Sequence, residues 1–205
     1  QVNANGSIRR IDYRDIMLNL FLGTEVEGGP ANIYLRRHGE SIEAIPLIGP
    51  LSTAAIVVGK RSMTARGRWQ ALDFRVSLLL SDSDPAWFWH VTLENTGAGA
   101  ETVDLVYVQD LAIADYGAVR LNEYYVSHYV DHTPLFHPQK GWVVASRQNL
   151  SVGGRNPLTV IGALAGGVSY ATDALQVYGL ANRSGSGLLV LTQELPGCRL
   201  QHEHS

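Results

Sequence analysis

The feature that most limits what this chain can fold into is its punctuation. Runs of Val, Ile, Leu, Tyr and Trp last five to ten residues and are then cut by glycine, proline or Asx/Ser clusters. With 21 Gly and 8 Pro in 205 residues, few windows are long enough for three helical turns. The clearest runs are 71–80 and 86–94, separated by the turn-forming Ser81-Asp82-Ser83-Asp84-Pro85. In the second run, strand alternation puts Trp87, Trp89, Val91 and Leu93 on one face. Phe88, His90, Thr92 and Glu94 take the other. A third run, 102–114, follows the turn at 95–100, so the three are expected to form an antiparallel meander. Further strands are expected at 7–13, 16–22, 32–35, 42–47, 142–147, 158–165 and 188–193, with one or two within 168–180. The best helical window lies within 15–22. Many strands without crossover helices predict an all-β, antiparallel sandwich or barrel, read as one domain over 1–205.

Composition removes several classes of function. Net charge is −3, which disfavours general nucleic-acid binding. No apolar run approaches the roughly 18–20 residues that span a bilayer as a helix. The single cysteine, Cys198, excludes an internal disulfide framework and suits a reducing, cytoplasmic setting. The chain begins at Gln1 and ends in His202-Glu203-His204-Ser205, which reads as a piece of something longer.

Several motifs have simpler structural explanations. Asp82-x-Asp84 could hold a cation between two carboxylates, but it sits in a tight turn without an α/β nucleotide-binding context. His128, His132 and His137 have crude metal-ligand spacing, and His202-x-His204 adds a pair. Without further converging ligands these are expected to be loop-bonding histidines, with no metal and no cofactor. Gly97-x-Gly99 and Gly185-x-Gly187 precede strands, which suits hairpin turns better than phosphate cradles. Asp110/Asp115 and Glu123/Asp131 are the carboxylate pairs available for glycoside chemistry, and sequence does not place either at a working separation.

Between 115 and 139 the alternation breaks down, and an irregular segment is expected there. It holds the best candidates for a substrate-bordering or interface surface: Asn122, Glu123, Tyr124, Tyr125, His128, Tyr129, Asp131 and His132. Sugars offer apolar C–H faces that stack on Tyr and Trp while polar groups engage their hydroxyls. Trp87 and Trp89 share a face with Val91 and Leu93, so they are expected in the core.

The stretch 117–132, Gly117-Ala118-Val119 followed by Asn122-Glu123 and the Tyr-Val-Ser-His-Tyr-Val-Asp-His run, resembles glycoside hydrolase family 94. So do 11–22, 32–37 and the Leu195-Pro196 to His204 ending, nearest the 1,2-β-oligoglucan phosphorylase branch. The resemblance implies a large super-sandwich related to the galactose mutarotase fold, truncated at its C-terminus. It implies that an (α/α)6 barrel elsewhere in the polypeptide holds the catalytic Asp, so no catalytic residue is assigned here. It further implies inverting phosphorolysis of β-1,2-linked glucooligosaccharides, with inorganic phosphate as co-substrate and α-glucose 1-phosphate as product. This domain would then be non-catalytic, would support a homodimer and would border the substrate pocket. Two alternatives stay open: a stand-alone carbohydrate-binding module, and the phosphorylase-like module of a membrane-bound cyclic β-1,2-glucan synthase.

Overall fold

A computed structural model describes residues 1–172. The expected strand 188–193, most of 168–180, Gly185-x-Gly187 and the His202/His204 pair lie outside the described residues. The chain forms two compact units, one of residues 1–13 and 21–110, the other of 14–20 and 111 onward. The fold is all-β and antiparallel, with two short helices in the second unit. Among the described residues no helix is long and apolar enough to cross a membrane.

The first unit contains β1 (Asp12–Tyr13), and β2 (Ile16–Met17) belongs to the second. The first then continues with β3 (Ala31–His38), β4 (Ile42–Pro46), β5 (Ala55–Val58), β6 (Ser62–Trp69), β7 (Leu72–Leu80), β8 (Trp87–Asn95) and β9 (Thr102–Gln109). These strands make two sheets, ordered β4-β3-β9 and β5-β6-β7-β8. Their apolar faces share one core, with Ala31, Ile33 and Leu35 from β3 and Met63, Ala65, Leu72, Phe74 and Val76 from β6 and β7. Trp89, Val91 and Leu93 of β8 pack against it, while Phe88, His90, Thr92 and Glu94 are exposed, as alternation predicts. Gly67 permits a close approach here, since a Cβ would lie 2.5 Å from the Phe74 ring.

The expected meander of 71–80, 86–94 and 102–114 does not continue into its third run. β7 and β8 pair antiparallel, but β9 pairs with β3 in the other sheet. Crossing over puts Val103 and Tyr107 onto the shared core and sets charges opposite each other. Arg36 faces Asp104 in the β3–β9 register and bonds it through Nε at 2.7 Å and Nη2 at 2.5 Å. The turn reading of 81–85 holds: Ser81 Oγ accepts from the Ser83 and Asp84 amides, and Asp82 pairs with Arg61.

The second unit pairs β2 with β10 (Ala114–Asp115), so the window expected to be helical is extended at Ile16–Met17. The run expected as one strand over 102–114 is broken between Gln109 and Ala114. Ile113 there has φ +53°, a left-handed conformation that a β-branched residue rarely adopts and that ends any ladder. The segment expected to be irregular is ordered. It forms α1 (Tyr116–Leu121), α2 (Glu123–Ser127) and β11 (Val130–His137). β12 (Gly141–Gln148) and β13 (Leu158–Gly162) complete a sheet ordered β11-β12-β13. Strands expected at 7–13, 16–22 and 158–165 are shorter than read, and β5 and β6 were not anticipated.

Candidate functional site

The candidate segment is built by two capping side chains. Asp115 Oδ1 accepts from the Gly117 amide at 2.8 Å and the Ala118 amide at 3.2 Å, starting α1. Asn122 ends α1 and starts α2, its Oδ1 accepting from the Tyr125 amide at 2.9 Å. One side-chain oxygen of Asn122 is therefore committed to the backbone. Val119 and Val126 anchor the two helices, both 1% exposed. That anchoring turns the remaining α2 side chains outward. Tyr124 is 73% exposed and Tyr125 is 50% exposed.

The exposed aromatics meet as i, i+4 pairs. Tyr124 and His128 lie with ring centroids 4.4 Å apart at 62°, and Tyr125 and Tyr129 lie 5.0 Å apart at 57°. Glu123 is exposed in the first turn of α2, where its charge suits the helix N-terminus. These side chains can offer ring faces and hydrogen-bonding groups to a carbohydrate.

Asp131 and His132 do not join that surface as a pair. They are consecutive in β11, so they point to opposite faces of the sheet. Asp131 is exposed and accepts from Asn149 Nδ2 at 2.5 Å. His132 faces Ser146, with its Nδ1 2.9 Å from Ser146 Oγ. Burial pushes the His132 imidazole below its ordinary range, against a smaller upward pull from Asp131. His137 is exposed at the far end of β11, where its Nδ1 accepts from the Gln139 amide. His128, His132 and His137 thus occupy a helix end and two faces of one strand. Among the described residues no three His, Cys, Asp or Glu side chains converge as metal ligands.

Two features escaped the sequence reading. Gln148, fully buried, donates through Nε2 to the carbonyls of Ala112 at 2.8 Å and Val126 at 3.2 Å. Its Oε1 accepts from the Leu150 amide at 2.9 Å. It thereby ties the sheet to the end of the aromatic helix. Gln148 stands in register with Val130 and, with Ser146, is one of the two buried positions of β12. The other feature is a second aromatic group. Phe136 and Trp142 stand opposite each other in the β11–β12 register, their rings 5.4 Å apart at 74°. Tyr170 lies 5.0 Å beyond Trp142. Gly141 makes this turn possible: at φ +68° it passes so close to Gly167 that a Cβ would lie 2.2 Å from its carbonyl oxygen.

A protein from Listeria innocua serovar 6a described as 1,2-beta-oligoglucan phosphorylase is 34% identical to this chain over 201 residues. That match covers 97% of this chain and 18% of the relative, so the chain spans under a fifth of the relative's length. The family described as SOGP N-terminal domain matches residues 1–205, the whole of the chain. An all-β chain matched end to end by that family, and aligned along nearly its full length to the Listeria protein, belongs to the SOGP N-terminal domain family.

Proposed function

We propose that this chain is the non-catalytic N-terminal domain of an inverting glycoside phosphorylase of family 94. Its parent would act on β-1,2-linked glucooligosaccharides, transferring a terminal glucosyl group to inorganic phosphate and releasing α-glucose 1-phosphate. The observation that carries this reading is the similarity along 97% of the chain to a protein described as a 1,2-beta-oligoglucan phosphorylase. The catalytic acid is assigned to the polypeptide beyond this domain. Here α2 and the two residues that follow it present Tyr124, Tyr125, His128 and Tyr129, exposed or half-buried, on a frame fixed by Asn122 and Gln148. Such a surface suits the border of an oligosaccharide pocket or the contact between two subunits.

The whole protein containing this chain, incubated with sophorose-type oligosaccharides and phosphate, is expected to release glucose 1-phosphate. Absence of release would overturn the substrate assignment, and release by residues 1–205 alone would overturn the non-catalytic assignment. The exposure of Tyr124 and Tyr125 supports a second reading, a self-sufficient carbohydrate-binding module. Calorimetric titration of this chain with β-1,2-glucan separates the two: a saturable site lost in Tyr125→Ala favours the module.

A further inference from the structure

The outer face of the β5-β6-β7-β8 sheet carries a row of arginines with no carboxylate opposite them. Arg66 on β6 stands directly opposite Arg75 on β7, and Thr92 on β8 stands opposite Arg75. Like charges directly opposed across an antiparallel pair are destabilising. Both arginines are exposed, and among the described residues neither has a hydrogen-bond or ion-pair partner. The next row of the same face is arranged differently. Arg68 stands opposite Asp73 and bonds it, and Glu94 adds its charge nearby. The two rows line one open groove of roughly 680 Å³.

We propose that the Arg66–Arg75–Thr92 row is a docking surface for a carboxylate-bearing stretch of polypeptide beyond residue 205 of the same protein. This rests on the reading that the chain is the N-terminal domain of a longer phosphorylase. Charge complementarity sets the chemistry, since two adjacent guanidinium forks and a hydroxyl match oxyanions, while the carboxylates of this face, Asp73 and Glu94, stand in the next row with Arg68. The row crosses three strands, roughly 10 Å at ordinary strand spacing. That width suits a segment bearing more than one carboxylate better than a single small ion. Individual exposed ion pairs are weak, so the contact needs the high effective concentration of a tethered partner. The chain covers only 18% of its Listeria relative, which leaves ample polypeptide to provide one. A second copy laid row against row would oppose arginine to arginine.

The test uses the whole protein with Arg66→Lys and Arg75→Lys together, which keeps both charges and supplies amines. Zero-length carbodiimide coupling is expected to join these amines to Asp or Glu residues beyond 205 of the same molecule. Coupling carried out in about 0.5 M NaCl instead of about 0.05 M should not form these bonds, as screening shortens the reach of charge. In the unsubstituted protein, an arginine-selective reagent should modify Arg66 and Arg75 several-fold faster at the higher salt. Coupling only to a second molecule or within residues 1–205, or none, with salt-independent arginine reactivity, overturns the proposal. Assaying phosphorolysis on the same preparations keeps the two readings apart. Active protein without the crosslink fails the docking alone, and inactive protein with it fails the function alone.

Discussion

Replacing Gln148 with leucine tests whether the aromatic helix is held by a hydrogen-bonded amide or by packing alone. The side chain is fully buried, and leucine nearly matches its volume, so cavity formation is a small part of the effect. Ala112 O and the Leu150 amide lose their bonds of 2.8 and 2.9 Å, while Val126 O keeps the Tyr129 amide at 3.3 Å. An orphaned buried polar group costs about 1–3 kcal/mol, and Leu150 is half-buried, so water compensates part of its loss. The expected destabilisation is about 2–3 kcal/mol once a small gain from the added apolar burial is set against it. Urea unfolding of residues 1–205, followed by circular dichroism, reads this as a lower midpoint at unchanged slope. Hydrogen exchange should rise selectively in peptides covering 116–129. A loss below about 1 kcal/mol, with exchange over 116–129 unchanged, would show that the amide merely fills space and refute the reasoning.

Asp104→Asn should cost about 2–3 kcal/mol in the same urea assay. It leaves Arg36, whose side chain is 3% exposed, without its carboxylate; the 40% exposure of Asp104 keeps the loss below that of a fully buried pair. Asp104 also predicts an acid limb. Burial pushes its carboxyl up, but bonds from Arg36 and His38 outweigh this and hold it below 3.8. Its contribution is therefore present above that value and lost as pH falls through the lower folded pKa, and urea midpoints of Asp104→Asn should lack that loss. His132 has the opposite proton balance: its folded pKa lies below 6.5, so the unfolded state binds the extra proton. Stability should be full above about pH 6.5 and fall as pH drops below it, and His132→Gln should flatten that slope in urea midpoints. Tyr124→Ala and Tyr125→Ala should change stability by no more than about 0.5 kcal/mol, because both rings are largely exposed. Phosphorolysis by the whole protein should show a raised KM for oligosaccharide in these variants if the surface borders the pocket.

Where strand period and turn chemistry agreed, the fold was legible. β8 alternates from Trp87 to Glu94, and Ser81 to Pro85 turns as its composition demands. β6 was hidden because its link to β7, Gln70-Ala71, carries no turn residue; yet Gln70 sits at φ +53°. That conformation is supported from a distance, by Arg37 donating to Gln70 Oε1 at 2.8 Å and Gln70 Nε2 donating to Glu43. The β3–β9 pairing was invisible for a similar reason, since Arg36 and Asp104 are 68 residues apart and nothing local marks them as partners. The two helices have six and five residues, too short for an apolar period. Only Asp115 and Asn122, the residues that cap them, betray them in sequence.

The same contrast divides the candidate site. Proximity in sequence grouped eight residues, but helix and strand geometry distribute them to different ends. On a helix, spacings of four bring Tyr124 to His128 and Tyr125 to Tyr129. On a strand, a spacing of one separates Asp131 from His132. The side chains that α2 and its C-terminal end bring together are aromatic, exposed or half-buried, and braced by their i+4 partners. Bracing matters because a ring already held in place loses little freedom on binding. The opposed Phe136 and Trp142 meet the same physical requirement from a strand turn, so variants there discriminate between a pocket bordered by α2 and one bordered by the β11–β12 end.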